Sequence, residues 1–340
     1  MKFFTNLIQK SKGSVYIIAE ACDNHMGSLD IAKALAKSAK FAGADAVKFQ
    51  HHLVDEEMLR TELMSDNFNE TLDKFLDRNA LSLEDHRLLK TFCDNIGITY
   101  LCTPFSFKAA EEINDLVPFF KIGSGEFQDF WYLDKLILLK KPIIFSSGMC
   151  TVSEIKNWVS RYKNKFVDFA IMNTISEYPP KMDDMNLNFI QKLKELTSNV
   201  VGHSDHTQST FTSVIAVSNG AEIVEKHLTV SHLVDGPDST VSLDPNEFKC
   251  LVDDLRLVNK TLGYEKKIQK KEEEIRAWAY RSIVFNMDLK KGSIITVDNI
   301  ISKRPGVGEV SSSDYEKIIG KKLNIDVKKD DYLKWKNLEN

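Results

Sequence analysis

Two imidazoles close successive apolar runs in this chain. His206 ends the stretch Val201-Gly202-His203-Ser204-Asp205-His206-Thr207, and His227 ends Glu225-Lys226-His227. Between them lies a helix-length segment, residues 209–220, that finishes in a glycine. In a strand–helix–strand unit the two parallel strands start at one edge and finish at the other. The two histidines therefore end side by side despite their separation in sequence. Neutral imidazoles are the commonest protein ligands for a divalent transition metal; the alternative is two strand-end histidines satisfied by hydrogen bonds.

Other reactive groups recur in the same position, at the ends of apolar runs: Glu20, Lys48 and Gln50, Thr103, Lys121, Ser124 and Glu126, Ser146, Asn173, and Ser204. Either lysine could form a Schiff base with a carbonyl substrate. Alternatively, Lys48 and Lys121 act as cations for an acidic ligand. With Ser124, Ser146, Ser204 and the glycines of Gly123-Ser124-Gly125 they supply charge and neutral donors together, which suits a phosphate. Glu20 and Glu126 read as metal ligand, general base or partner for a substrate hydroxyl, against a structural role paired with lysine. Ser176-Glu177-Tyr178-Pro179-Pro180 has the stiffness of a substrate-facing loop, and Gly236-Pro237-Asp238 places Asp238 at the same end. His25 reads as a cap of the helix after it, His86 as helix surface and His232 as loop. His51, His52 and His203 read as residues behind the site. Cys22, Cys102 and Cys150 lack an adjacent base, which argues against a nucleophile.

The elements that must position these groups alternate regularly. Short β-rich runs fall at residues 15–20, 45–50, 98–102, 118–122, 142–146, 167–172, 199–204 and 222–227, with helical patterns at 29–42, 82–95, 107–116, 131–139, 152–162, 186–196, 209–220 and 245–262. In the first helix Ile31, Leu35, Ser38 and Ala42 share a face. Eight strand–helix units in about 250 residues are the number and size of a (β/α)8 TIM barrel. The GxGxxG that would favour an open doubly wound sheet is missing after the first run. Burying a polar group without a partner costs several kcal/mol, so polar groups at nearly every strand end point to one shared mouth.

With 340 residues and 43% apolar composition, a large domain plus a small one is expected. A net charge of −4 gives no reason to expect nucleic acid or a membrane as partner. Five scattered cysteines fit reduced thiols in a cytoplasm, and no apolar run is long enough to span a bilayer. The expected division is a barrel over residues 1–265, a charged linker over 266–280, and a small turn-rich domain over 281–340.

Several stretches taken together go beyond barrel logic. Ile18-Ala19-Glu20-Ala21-Cys22-Asp23-Asn24-His25-Met26-Gly27-Ser28, Val47-Lys48-Phe49-Gln50, Cys102-Thr103-Pro104-Phe105-Ser106, Phe120-Lys121-Ile122-Gly123-Ser124-Gly125-Glu126, Ser146-Ser147-Gly148-Met149, Ser204-Asp205-His206-Thr207, Glu225-Lys226-His227-Leu228-Thr229 and Gly236-Pro237-Asp238 stand in an order and spacing that resembles the sialic acid synthase family. Lys303-Arg304-Pro305-Gly306 resembles that family's antifreeze-like (SAF) domain. The resemblance implies condensation of phosphoenolpyruvate with an N-acetylated mannosamine-type sugar, giving a nine-carbon 2-keto-3-deoxy acid and phosphate. It implies a divalent metal, Mn2+ foremost with Mg2+ or Co2+ as alternatives, held by His206 and His227. It also implies a homodimer whose small domain reaches over the partner's barrel mouth.

Position by position, Lys48, Lys121, Ser124, Ser146 and Ser204 match the phosphoenolpyruvate pocket, with Thr103 beside it. Glu20, Gln50, Tyr178 and Asp238 match the sugar site, Glu126 the carboxylate that handles water, and Arg304 an arginine inserted from the partner. The chain departs from many relatives at Asn173-Thr174-Ile175, at Ser176 where some have asparagine, and at Leu233-Val234-Asp235. These changes leave open a 2,4-diacetamido sugar of the legionaminic or pseudaminic acid type, or a phosphorylated sugar. A non-catalytic carbohydrate-binding protein would be expected to lack one of the histidines or lysines.

Overall fold

The computed structural model describes residues 2–60 and 70–339. The chain divides into two compact units, one ending at Gly263 and one starting at Tyr264. The first unit holds eight parallel strands: β1 (Tyr16–Glu20), β2 (Ala46–His51), β3 (Thr99–Pro104), β4 (Phe120–Ile122), β5 (Ile143–Ser146), β6 (Phe169–Thr174), β7 (Val201–Asp205) and β8 (Ile223–His227). Their hydrogen-bonded order is β3-β2-β1-β8-β7-β6-β5-β4. That is the circular order of a TIM barrel, with β3 and β4 neighbouring each other across the seam.

α1 (Phe3–Lys10) precedes β1, and helices follow the strands: α2 (Leu29–Ala42), α3 (Val54–Glu57), α4 (Leu72–Asn79), α5 (Leu83–Ile96), α6 (Phe107–Ile113), α7 (Phe130–Leu136), α8 (Val152–Tyr162), α9 (Phe189–Thr197), α10 (Phe211–Ser218) and α11 (Pro245–Thr261). Local chemistry sets their ends. Ser82 with Asp85, Thr151 with Glu154 and Asp244 with Glu247 form reciprocal capping boxes at α5, α8 and α11. Gly43 and Gly97 end α2 and α5 in the left-handed region, where a glycine carries no Cβ penalty.

Packing follows the pleat. Along β1, Tyr16 and Ile18 belong to the cluster inside the barrel, whereas Ile17 and Ala19 pack outward against the helices. Similarly, Ala46, Leu101, Ile144, Met172 and Ile223 fill the interior. With a period of two, the next inward positions are Glu20, Lys48, Thr103, Ser146, Thr174 and Glu225. The inner face of each strand thus changes from apolar to polar as it approaches the mouth. At the opposite end, α1 closes the barrel floor with Phe4 and Ile8, and Phe4 meets Phe119 edge-on at 5.4 Å.

Several expectations need correction. The buried face of α2 is Ala32, Leu35, Ala36, Ala39 and Ala42, with Ile31 and Ser38 only at its margin. His86 is fully buried, not surface, and its Nδ1 lies 2.7 Å from the Tyr100 hydroxyl. The cap of α2 is Ser28, not His25, which is itself buried. Helices α1, α3 and α4 had no counterpart in the sequence pattern.

The second unit has its own core, including Ile283, Phe285, Ile295, Leu323 and Leu333. It begins with α12 (Lys270–Ala279), which occupies much of the charged run, and contains the antiparallel pair β9 (Ser282–Phe285) and β10 (Ile300–Lys303). Among the described residues no helix is long and apolar enough to cross a membrane.

Candidate active site

Register places the polar strand ends beside one another. Glu20 is the Cα partner of Lys48 on one side and of His227 on the other. Ser204 partners Glu225, and Gln50 partners Thr103. The result is a cavity of about 300 Å³ at the mouth. Its wall brings together Glu20, Lys48, Gln50, Thr103, Lys121, Ser124, Glu126, Ser146, Ser176, Tyr178, Ser204, His206, His227 and Asp238. Arg304 alone of the expected site residues lies in the second unit, where it is exposed and its Nε donates to the Ala279 carbonyl at 3.0 Å.

At the floor of the cavity four buried charges balance. Lys48 pairs with Glu20 and lies 3.6 Å from Glu225, while Lys121 lies 3.2 Å from Glu225. Lys48 also donates to Thr103 Oγ1 at 3.0 Å, and Ser204 donates to Glu225 at 3.0 Å. Burial opposes the Lys48 ammonium, but Glu20 and Glu225 outweigh it and raise its pKa above the ordinary value. Burial lowers that of Lys121. For Glu225 burial works upward, yet Lys121 and Lys48 hold the carboxyl below the usual range. Burial keeps Glu20 above it, against the pull of Lys48. The sequence pattern assigned Glu225 no role. The signal was present in the alternation Ile223–Glu225–His227, which puts the glutamate on the same inward face as the histidine.

Beside this floor His206 and His227 face each other, ring centroids 5.4 Å apart and planes at 63°. The carbonyl oxygen of Ile175 lies 2.7 Å from His206 Nδ1. A proton on Nδ1 donates to it, which fixes the ring and leaves Nε2 a lone pair. Nε2 faces the Tyr178 hydroxyl at 3.1 Å and Ser204 Oγ at 3.4 Å, and the Tyr178 ring stacks on His206 at 4.2 Å. His227 Nδ1 is buried without a hydrogen-bond partner, 3.6 Å from an Asp238 carboxylate oxygen. Burial drops the His206 pKa to about 4 and that of His227 well below its ordinary value. Both rings are therefore neutral near pH 7. Two neutral imidazoles, one with an unsatisfied nitrogen, have the donor chemistry of a divalent-cation site.

Glu126 and Ser146 each keep a buried side-chain oxygen without a hydrogen-bond partner in this wall. Burial raises the Glu126 and Asp238 carboxyls. The rim depends on a glycine: a Cβ at Gly148 would run into Ser124 and Ser176. Cys22 is buried, and burial pushes its thiol pKa up.

Of the remaining histidines, His203 is buried with Nδ1 3.0 Å from the Asn173 carbonyl, and His51 pairs with Glu112 at 2.8 Å. His52, by contrast, belongs to an adjoining cavity wall and touches Gln50 at 2.9 Å. Among the described residues, one group of three acidic or imidazole ligand atoms lies within 4.8 Å, namely His232, Asp244 and Glu247. The last two form the capping box of α11.

An eight-stranded barrel whose mouth gathers two buried lysines and a pair of facing imidazoles defines the class structurally. Comparison with known proteins narrows this class. Residues 35–267 match the NeuB family and residues 280–339 the SAF domain. The chain belongs to the NeuB family. It is 36% identical to the N,N'-diacetyllegionaminic acid synthase of Legionella pneumophila, over 97% of each chain. It is 31% identical to the human N-acetylneuraminate-9-phosphate synthase, over 94% of this chain and 91% of the relative. The crystal structure of an N-acetylneuraminic acid synthetase from Leptospira borgpetersenii superposes with a TM-score of 0.68 at 31% identity, covering 77% of this chain and 90% of that one.

Proposed function

We propose that this chain condenses phosphoenolpyruvate with the open-chain aldehyde of an N-acetylated mannosamine-type sugar and water, giving a nine-carbon 2-keto-3-deoxy acid and inorganic phosphate. The observation that carries the reading is one cavity holding two buried lysines and a facing pair of neutral imidazoles. Relatives are named for legionaminic acid and for a neuraminate 9-phosphate, so the reaction class is supported more broadly than any single acceptor.

In this reading the anionic enol ester sits on the floor. Lys48 and Lys121 neutralise its charge, and the side chains of Thr103, Ser124 and Ser146 donate hydrogen bonds, while Ser204 lines the pocket and holds Glu225. Such contacts are strong in a site closed to water. Glu20, Gln50, Ser176, Tyr178 and Asp238 hold the sugar. His206 and His227 would hold the divalent cation, Mn2+ foremost with Mg2+ or Co2+ as alternatives. When bound, such a cation polarises the sugar's carbonyl oxygen as a Lewis acid.

The C3 carbon of phosphoenolpyruvate then forms the new bond to the aldehyde carbon. Glu126, with an unpartnered carboxylate oxygen, positions a water that adds at C2. The tetrahedral species expels phosphate with its bridging oxygen, leaving the 2-keto group. The lysines act as cations and not as Schiff bases, because each is already engaged by Glu225. The proposed assembly is a cytoplasmic homodimer in which Arg304 of a second chain completes the sugar site.

The test is phosphate release from phosphoenolpyruvate with Mn2+ and a panel of N-acetylated hexoses, in the native protein and in His206→Ala and His227→Ala. Release that requires a sugar and falls by two orders of magnitude or more in both variants is expected, the scale of losing a preorganised electrostatic contact. No release with any sugar, or full activity in either variant, would contradict the proposal.

A further inference from the structure

The two facing imidazoles are carried differently by their strands. His227 is the last residue of β8 and the register partner of Glu20. His206 lies one residue past the end of β7, whose last pairing with β8 joins Asp205 to Lys226. Each of these two partners immediately precedes one of the histidines. By the pleat they turn away from the mouth, as Val201 and Val224 do on the same strands.

Behind the cavity wall Asp205 and Lys226 form an ion pair at 3.3 Å, with both side chains fully buried. Lys226 also donates to the carbonyl oxygen of Thr207 and, at 3.1 Å, to that of Ser209. Asp205 Oδ1 accepts from the Thr207 backbone N–H at 2.9 Å. Its Oδ2 accepts from the hydroxyls of Thr212 and Ser213 on α10, at 2.7 and 2.6 Å. The residues on either side of His206 are thus tied to one ion pair. That pair is anchored in turn to α10 and to the residue before His227.

Stability alone gives little reason for such a pair. Two charges taken out of water gain little net, and apolar residues of similar volume often hold a fold as well. Charge-assisted hydrogen bonds do impose distance and direction. Here they act just beyond the last register pair, where His206 leaves the sheet. Neither Asp205 nor Lys226 lines the cavity, so any effect on its chemistry passes through the histidines.

We propose that Asp205 and Lys226 are positioning residues that set the spacing of the His206 and His227 rings, and through it the affinity of the site for a divalent cation. This inference rests on the assignment of the two imidazoles to that cation and adds what holds them 5.4 Å apart.

The test titrates Mn2+ into the metal-free, full-length protein. Free ion is read by electron paramagnetic resonance and folding by circular dichroism. The native protein is expected to bind Mn2+, and His206→Ala and His227→Ala each to lose it. The double variant Asp205→Leu/Lys226→Met should keep the native circular dichroism spectrum and bind Mn2+ about tenfold to a hundredfold more weakly, the range for residues that support metal ligands from behind. Ser213→Ala removes one donor to Asp205 and leaves the ion pair in place; it should weaken binding in the same direction, and it decides the matter if the double variant does not fold. Native affinity in the folded double variant, or in Ser213→Ala where the double variant does not fold, overturns this inference and leaves the histidine assignment standing. No binding by the native protein, or native affinity in either histidine variant, contradicts that assignment and this inference with it.

Discussion

Glu225 is the residue on which the site's electrostatics turn. It lies between Lys48 and Lys121 and takes a hydrogen bond from Ser204, all in a fully buried setting. Removing one member of a buried ion network leaves the others uncompensated, which costs about 3–5 kcal/mol. Glu225→Gln should therefore lower thermal stability by about that amount. An anionic ligand that supplies the missing charge should restore it, so phosphoenolpyruvate is expected to raise Tm more in the variant than in the native protein. Thermal unfolding with and without phosphoenolpyruvate measures this, and an equal or smaller ligand effect in the variant would mean the two lysines do not share the ligand's charge. The histidines and lysines stood out in the sequence because each ends an apolar run. Glu225 did not, because it lies inside such a run and only the alternation of the strand reveals its direction.

At the scale of elements, the pleat explains both what the sequence disclosed and what it hid. Eight β-rich runs with helices between them were readable because parallel strands buried on both faces are continuous apolar segments. The mouth was readable because β1, β2, β5, β7 and β8 all turn polar at their C-terminal ends. The adjoining cavity beside His52 was not. Its apolar side comes from Met58, Leu72, Phe75 and Leu76, on or next to the short helices α3 and α4. Helices of four and eight residues leave little periodicity to detect. Behind β2 and β3, His86 was misread as surface, since helical spacing alone does not say which polar residue turns inward.

That burial has a measurable consequence. His86 packs edge-on to His51 at 4.7 Å, and burial drops its pKa well below the ordinary value. Below about 6.5 the unfolded chain binds a proton at this position that the native protein does not, so stability falls as pH falls. One such group contributes about 1.4 kcal/mol per pH unit, or about 2 kcal/mol between pH 6.5 and pH 5. Asp23, raised to about 6 by burial, works in the opposite direction and offsets part of the total. The prediction is therefore a difference: between pH 7 and pH 5 the native protein should lose about 2 kcal/mol more than His86→Gln in urea unfolding. Parallel losses would show that His86 is protonated in the folded state.

At the scale of the whole molecule, the chain carries two independent cores, one in the barrel unit and one in the SAF unit. The barrel supplies every proposed substrate contact except Arg304. It places apolar packing at its floor, where α1 closes it, and chemistry at the opposite end. This arrangement separates stability from catalysis, as barrels do generally. In the proposed reaction, carbon–carbon bond formation beside Lys48 and Lys121 is followed by loss of phosphate through C–O cleavage. Phosphoenolpyruvate labelled with oxygen-18 at its bridging position tests it most directly, with the acceptor sugar present and the released phosphate read by phosphorus NMR. Sugar-dependent release of phosphate that carries the label is the predicted result, and release of unlabelled phosphate, or none that depends on sugar, would contradict the account.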